Sequence, residues 1–140
     1  IPTARQVNRA MPEHIATLTA SALESYDITP ETAKIAVLGY AYMENSDDDR
    51  DTPTAALLQL LNADEIRVHD PFVPDYQGDL EAIINGVDAV ILMVKHDVYV
   101  AQNWQQILNK MQHPIIIDAR HVIADDFGVG NATIRVVGRG

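Results

Sequence analysis

The stretch GYAYMENSDDDRD at 39–51 gathers residue types that could do chemistry: a glycine, two tyrosines and one arginine, Arg50, among Asp47, Asp48, Asp49 and Asp51. A guanidinium is a planar fork that suits phosphate oxygens, so Arg50 points to anion binding. The aspartates oppose it, because carboxylates repel a bare phosphate. They suit instead the positive end of the helix announced by Thr52 as N-cap and Pro53 at the first helical position. Clustered carboxylates also suit a hard cation, but the D-x-D-x-D-G spacing of a calcium loop is missing. So is the G-x-G-x-x-G that lets backbone approach a pyrophosphate at a helix N-terminus, and the stretch is no dinucleotide fingerprint.

Three further stretches follow apolar runs: HDPFV at 69–73, KHDVY at 95–99 and DARHV at 118–122. Arg120 stands just past a buried run, where an arginine either pairs with a carboxylate or reaches for an anionic ligand; both readings stay open. His69 and His96 are placed to be site residues or satisfied buried histidines. Asp70 with Pro71 reads most simply as a turn. The histidines at 14, 69, 96, 113 and 121 have no zinc-site spacing, there is no cysteine, and no G-x-S-x-G elbow offers a serine nucleophile.

The elements that must position these residues alternate. Lys34 to Gly39, Ile66 to His69, Ala89 to Val94, Ile115 to Asp118 and Thr133 to Val137 are short, β-branched apolar runs bounded by turn signals, and read as buried parallel strands. Helical periodicity fills the gaps at Thr54 to Asn62, Leu80 to Asn85 and Trp104 to Met111. The expected fold is α/β, a doubly wound, Rossmann-like parallel sheet of about five strands. In such a sheet ligands sit beyond the carboxyl ends of the strands, which is where the stretches above fall. Ahead of it, Ala4 to Tyr26 carries a helical stripe that Pro12 starts or kinks. That helix belongs to no strand–helix–strand unit, so it either links to a neighbouring domain or second subunit, or covers the sheet.

Composition narrows the partners. Ten basic against twenty acidic residues give a net charge of -10, which would repel a nucleic acid. With 47% apolar residues the chain is too apolar for disorder, and at 140 residues it has room for one core. The longest apolar run, Ala89 to Val94, is far short of the roughly 20 residues of a spanning helix, so no membrane segment is expected. A cytoplasmic location is the default for a cysteine-free chain. Ile1 in place of an initiator methionine suggests a fragment of something longer.

In order, ARQVNRAMPEHI (4–15), KIAVLGYAYMENSDDDRDTP (34–53), VHDPFV (68–73), VDAVILMVKHD (87–97) and IIDARHV (116–122) resemble the carboxyl-terminal part of the UDP-glucose/GDP-mannose dehydrogenase family. The resemblance implies residues 1–28 as the end of a central linker and dimerisation helix, and 29–140 as a UDP-sugar-binding domain. The parent would be an NAD-dependent UDP-sugar 6-dehydrogenase, with NAD and the catalytic cysteine held by an amino-terminal domain absent here. No catalytic residue is then expected in this chain, and a homodimer through the leading helix is implied.

Residue by residue, Arg120 matches the arginine of D-x-R-x-V that contacts the UDP-sugar. Arg50 matches the arginine of D-D-x-R that reaches toward the NAD pyrophosphate. Arg5 and Asn8 match A-R-x-x-N of the central helix, near the sugar site or a dimer contact, and Tyr42 and Met43 fall in the nucleotide-sugar pocket. Met11 to His14 is similar to the N-acetylhexosamine branch. Met43 departs from the family, which has lysine after the aromatic; a charge-assisted bond worth roughly 1.5–3 kcal/mol would be missing. That departure motivates the alternative of a non-catalytic nucleotide-binding or oligomerisation module.

Overall fold

The computed structural model describes residues 10–41, 52–123 and 133–136. Five strands form one parallel sheet: β1 (Lys34–Leu38), β2 (Glu65–His69), β3 (Ala89–Leu92), β4 (Ile115–Asp118) and β5 (Thr133–Val136), in the order β2-β1-β3-β4-β5. The register sets Ile35 opposite Ile66 on one side and Ala89 on the other. Strand order reverses between β1 and β3, and in open parallel sheets ligands usually bind beyond the carboxyl ends at such a point.

Side chains alternate across the pleat. Ile35 and Val37 join one buried cluster with Ile91, Ile115 and Ile117, whereas Ala36 and Leu38 join the other with Val90, Leu92 and Ile116. Right-handed crossovers decide which helix covers which face. The step from β1 to β2 runs one way along the sheet and sends α2 (Pro53–Leu60) to the first face, where Leu57 is buried. The steps to β3 and β4 run the other way. They place α3 (Leu80–Ile84) and α5 (Trp104–Lys110) on the second face, with Ile84, Trp104, Ile107 and Leu108 in its core.

That winding leaves β3 and β4 uncovered on the first face, and α1 (Ala10–Glu24) fills the place. It lies against α2, β3 and β4, with Ile15, Ala22 and Leu23 fully buried. Burying Ile15 and Leu23 is worth about 1.5–3 kcal/mol each. The leading helix therefore covers the sheet, with Pro12 in its first turn.

Of the differences from the sequence expectation, two bear on the site. The strand expected to run to Val94 ends at Leu92, because β1 stops at Leu38 and the Met93 N–H bond to the Leu38 carbonyl, 2.9 Å, is the last rung. A one-turn helix, α4 (Asp97–Val100), follows His96 and is too short to leave a periodic signal. Among the described residues no helix is long and apolar enough to cross a membrane.

Candidate functional site at the carboxyl ends of the strands

Gly39 ends β1 with φ at +102°, a conformation that L side chains rarely adopt. A Cβ there would stand 2.7 Å from Val94 Cβ and 2.8 Å from Val94 N, so only glycine lets the ends of β1 and β3 approach this closely. Its N–H donates to the His69 carbonyl at 2.7 Å, and its carbonyl accepts from the Thr54 hydroxyl at 2.9 Å. Thr52 caps α2 by accepting from the Ala55 N–H, with Pro53 following as the sequence predicts. The close approach of Gly39 is thus made to Val94.

The centre of the rim is Asp70, fully buried just past β2. Its Oδ2 accepts from the backbone N–H of Tyr40 at 2.7 Å, of Ala41 at 2.8 Å, and from His96 Nε2 at 2.9 Å. Its Oδ1 accepts from the Phe72 N–H at 2.8 Å, and its own N–H donates to the Tyr76 carbonyl at 2.8 Å. Burial pushes the carboxyl up, but the bonds from His96 and the three amides outweigh it and hold it at about 2. An ionised carboxylate only accepts, so His96 Nε2 carries the proton of that bond.

Behind this pair lies a second one. The Tyr99 hydroxyl donates to the His69 carbonyl at 2.9 Å and meets His69 Nδ1 at 2.8 Å. Burial lowers the His69 pKa and raises that of Tyr99, which keeps both neutral near pH 7. His69 and His96 are accordingly satisfied buried histidines that build the rim. They offer no open ring for a metal, and no group of three or more ligating side chains suited to one occurs among the described residues.

At the end of β4 a second buried aspartate ties a loop. Asp118 Oδ1 accepts from the N–H of Arg120 at 3.2 Å and of Val122 at 2.9 Å, and Oδ2 from that of Ile123 at 2.9 Å. The turn needs His121 in the left-handed region, φ +56°. It fixes the backbone that carries Arg120, which is half-buried at the rim. Aromatic rings border the same end: Tyr40 and Tyr76 pair at 4.9 Å between centroids, and Phe72 leans on His96 at 5.1 Å.

Of the residues singled out from sequence, Arg120 lies two residues past β4, at the carboxyl end of the sheet. Tyr42, Met43, Arg50, Arg5 and Asn8 lie outside the described residues. Asp70 and His96 were not recognised as a pair, because the D-P turn supplies only the local bond to Phe72. Their signal was shared position: Asp70 directly follows β2 and His96 stands in the loop after β3, the two strands that flank β1.

Two hollows elsewhere suit a nucleotide poorly. One of about 380 Å³ is lined by Glu24, Asp27 and Glu31 beside the negative end of α1, which repels phosphate. Another of about 220 Å³ between α1 and α2 is lined mainly by Ala16, Leu23, Ile35, Leu60 and Leu61 and offers no cation.

The family model for the UDP binding domain of the UDP-glucose/GDP-mannose dehydrogenase family matches residues 36–125, well over half of the chain. The chain belongs to this family. It is similar to the UDP-N-acetyl-D-mannosamine dehydrogenase of Pyrococcus horikoshii, 37% identical over 127 residues, covering 89% of this chain and 30% of that protein. The solved structure of UDP-D-ManNAc dehydrogenase from Pyrococcus horikoshii superposes with a TM-score of 0.89 at 36% identity, over 99% of this chain and 33% of that one. That of NDP-N-acetyl-D-galactosaminuronic acid dehydrogenase from Methanosarcina mazei Go1 does so with 0.87 at 32% identity, over 98% and 31%. The chain thus spans about a third of the length of the relatives it matches. The match places the rim of Gly39, Asp70, His96 and Arg120 inside this family's UDP binding domain.

Proposed function

We propose that this chain is the UDP-sugar-binding part of an NAD-dependent dehydrogenase that oxidises a UDP-N-acetylhexosamine to its uronic acid. The observation that carries the reading is the Asp118 turn, which presents Arg120 at the carboxyl end of the sheet beside the strand-order reversal. A guanidinium there suits a diphosphate. Similarity to proteins named for N-acetylmannosamine and N-acetylgalactosaminuronic acid supports the N-acetylhexosamine branch.

In this reading Arg120, Tyr42, Met43, Arg5 and Asn8 serve the UDP-sugar, and Arg50 reaches toward NAD. NAD and the nucleophilic cysteine belong to another domain, residues 1–28 join it to this one, and α1 also meets a second copy in a cytoplasmic homodimer. The protein of the parent reading frame, supplied with NAD, is expected to form NADH with UDP-N-acetylmannosamine or UDP-N-acetylglucosamine in preference to UDP-glucose. A parent frame without an upstream G-x-G-x-x-G and a cysteine would sink the catalytic assignment.

Met43, where the resemblance leads one to expect lysine, favours a second reading: a non-catalytic module that keeps the fold for oligomerisation or nucleotide binding. Under the first reading Met43→Lys strengthens UDP-sugar binding by about tenfold or more, as expected of a charge-assisted bond. No gain points to the second.

A further inference from the structure

We infer that Asp70, braced by His96, is the positioning residue of the nucleotide rim, holding three separate strand-end loops in one arrangement. This rests on the reading of the carboxyl end as the UDP site. Asp118 binds only amides of its own turn, at 120, 122 and 123. Asp70 instead reaches 30 residues back to the loop after β1, through Tyr40 and Ala41, and 26 residues forward to His96 after β3. It also holds its own loop through Phe72 and Tyr76.

The loops so joined come from β1, β2 and β3, the strands on both sides of the strand-order reversal. Ala41 directly precedes Tyr42 and Met43 in the chain. Three aromatic residues, Tyr40, Phe72 and Tyr76, have backbone groups bonded to this one residue. Both partners are fully buried. No side-chain nitrogen or oxygen buried among the described residues lacks a partner, so the network is complete. A satisfied, dry network of this kind fixes geometry, and a binding site loses affinity when its support shifts by a fraction of an ångström.

The inference is tested by amide-resolved NMR and UDP titration of the chain carrying Asp70→Asn, His96→Gln, His96→Leu or, as a control at the other end of the sheet, Asp88→Asn. Asn keeps the volume of Asp70 and removes its charge. Gln can still donate from its amide where His96 Nε2 donates, and Leu cannot. In Asp70→Asn and His96→Leu the amide resonances after all three strands, at Tyr40 and Ala41, Phe72, and Lys95, shift together. UDP affinity then falls by about tenfold or more while the variant stays folded. His96→Gln and Asp88→Asn stay within about twofold of the parent, since an intact or remote network leaves the rim in place.

Shifts confined to the Phe72 loop, or unchanged UDP affinity in folded Asp70→Asn, would overturn the inference. If Asp70→Asn does not fold, the same readouts on His96→Leu decide it. If the parent chain shows no saturable UDP response, the nucleotide reading fails, and the positioning role is then judged on the three-loop resonances alone.

Discussion

The two ends of β1 are each held by an aspartate–histidine pair. At the amino end Asp88 accepts from the Lys34 N–H at 2.8 Å and from His113 Nδ1 at 2.8 Å. At the carboxyl end Asp70 accepts from Tyr40, Ala41 and His96 at nearly the same distances. What differs is water: the side chains of Asp88 and His113 are 13% and 31% exposed, those of Asp70 and His96 not at all. The amino-end pair sits beside Tyr26, whose ring meets His113 edge-on and whose hydroxyl bonds the Thr133 hydroxyl, so it helps tie α1 and β5 to the sheet. Similar chemistry on one strand therefore serves as a solvated tie at one end and a dry clamp at the other. A buried carboxylate binds each partner more firmly, and its loss is correspondingly more damaging.

The sharpest way to break the comparison is to remove each carboxylate. Asp70→Ala leaves His96 and three amides facing a void and is expected to cost about 3–5 kcal/mol of unfolding free energy, measured by urea denaturation. Acidification is the next largest effect. Asp70 falls from 3.8 unfolded to about 2 folded, so its contribution is complete above about pH 4 and is lost as pH falls toward 2. That difference corresponds to about 2 kcal/mol, and Asp70→Asn flattens this limb of the stability curve. His69, lowered by burial, adds a decline that begins as pH falls below 6.5, where the unfolded chain takes up its proton first. Asp88→Asn is expected to cost less than about 1 kcal/mol, because water can replace what the partly exposed pair loses. An equal cost for Asp88→Asn and Asp70→Asn would remove the distinction between the two ends.

The sheet was legible because each strand is a compact apolar run and the β-branched residues of Ile115 to Asp118 leave no helical alternative. Strand order was not, since periodicity carries no information on which neighbour a strand pairs with. The position of α1 became definite only once the winding left β3 and β4 bare. The position of Arg120, just past a buried strand, was legible in the sequence. The Asp70–His96 clamp was not, because its bonds join residues 26–30 apart and the local D-P turn already explained the aspartate. His121 shows the same limit: its left-handed backbone follows from the Asp118 turn, which a histidine does not announce.

In the proposed function the carboxyl end of this sheet receives the nucleotide and the amino end does not. An amide-resolved NMR titration of the chain with UDP tests it directly. Saturable shifts are predicted at Gly39 to Ala41, Asp70 to Tyr76, Lys95 to His96 and Ala119 to Val122, with Lys34, Asp88 and His113 unmoved. Shifts centred on Asp88 and His113, or no saturable shift anywhere, would contradict it.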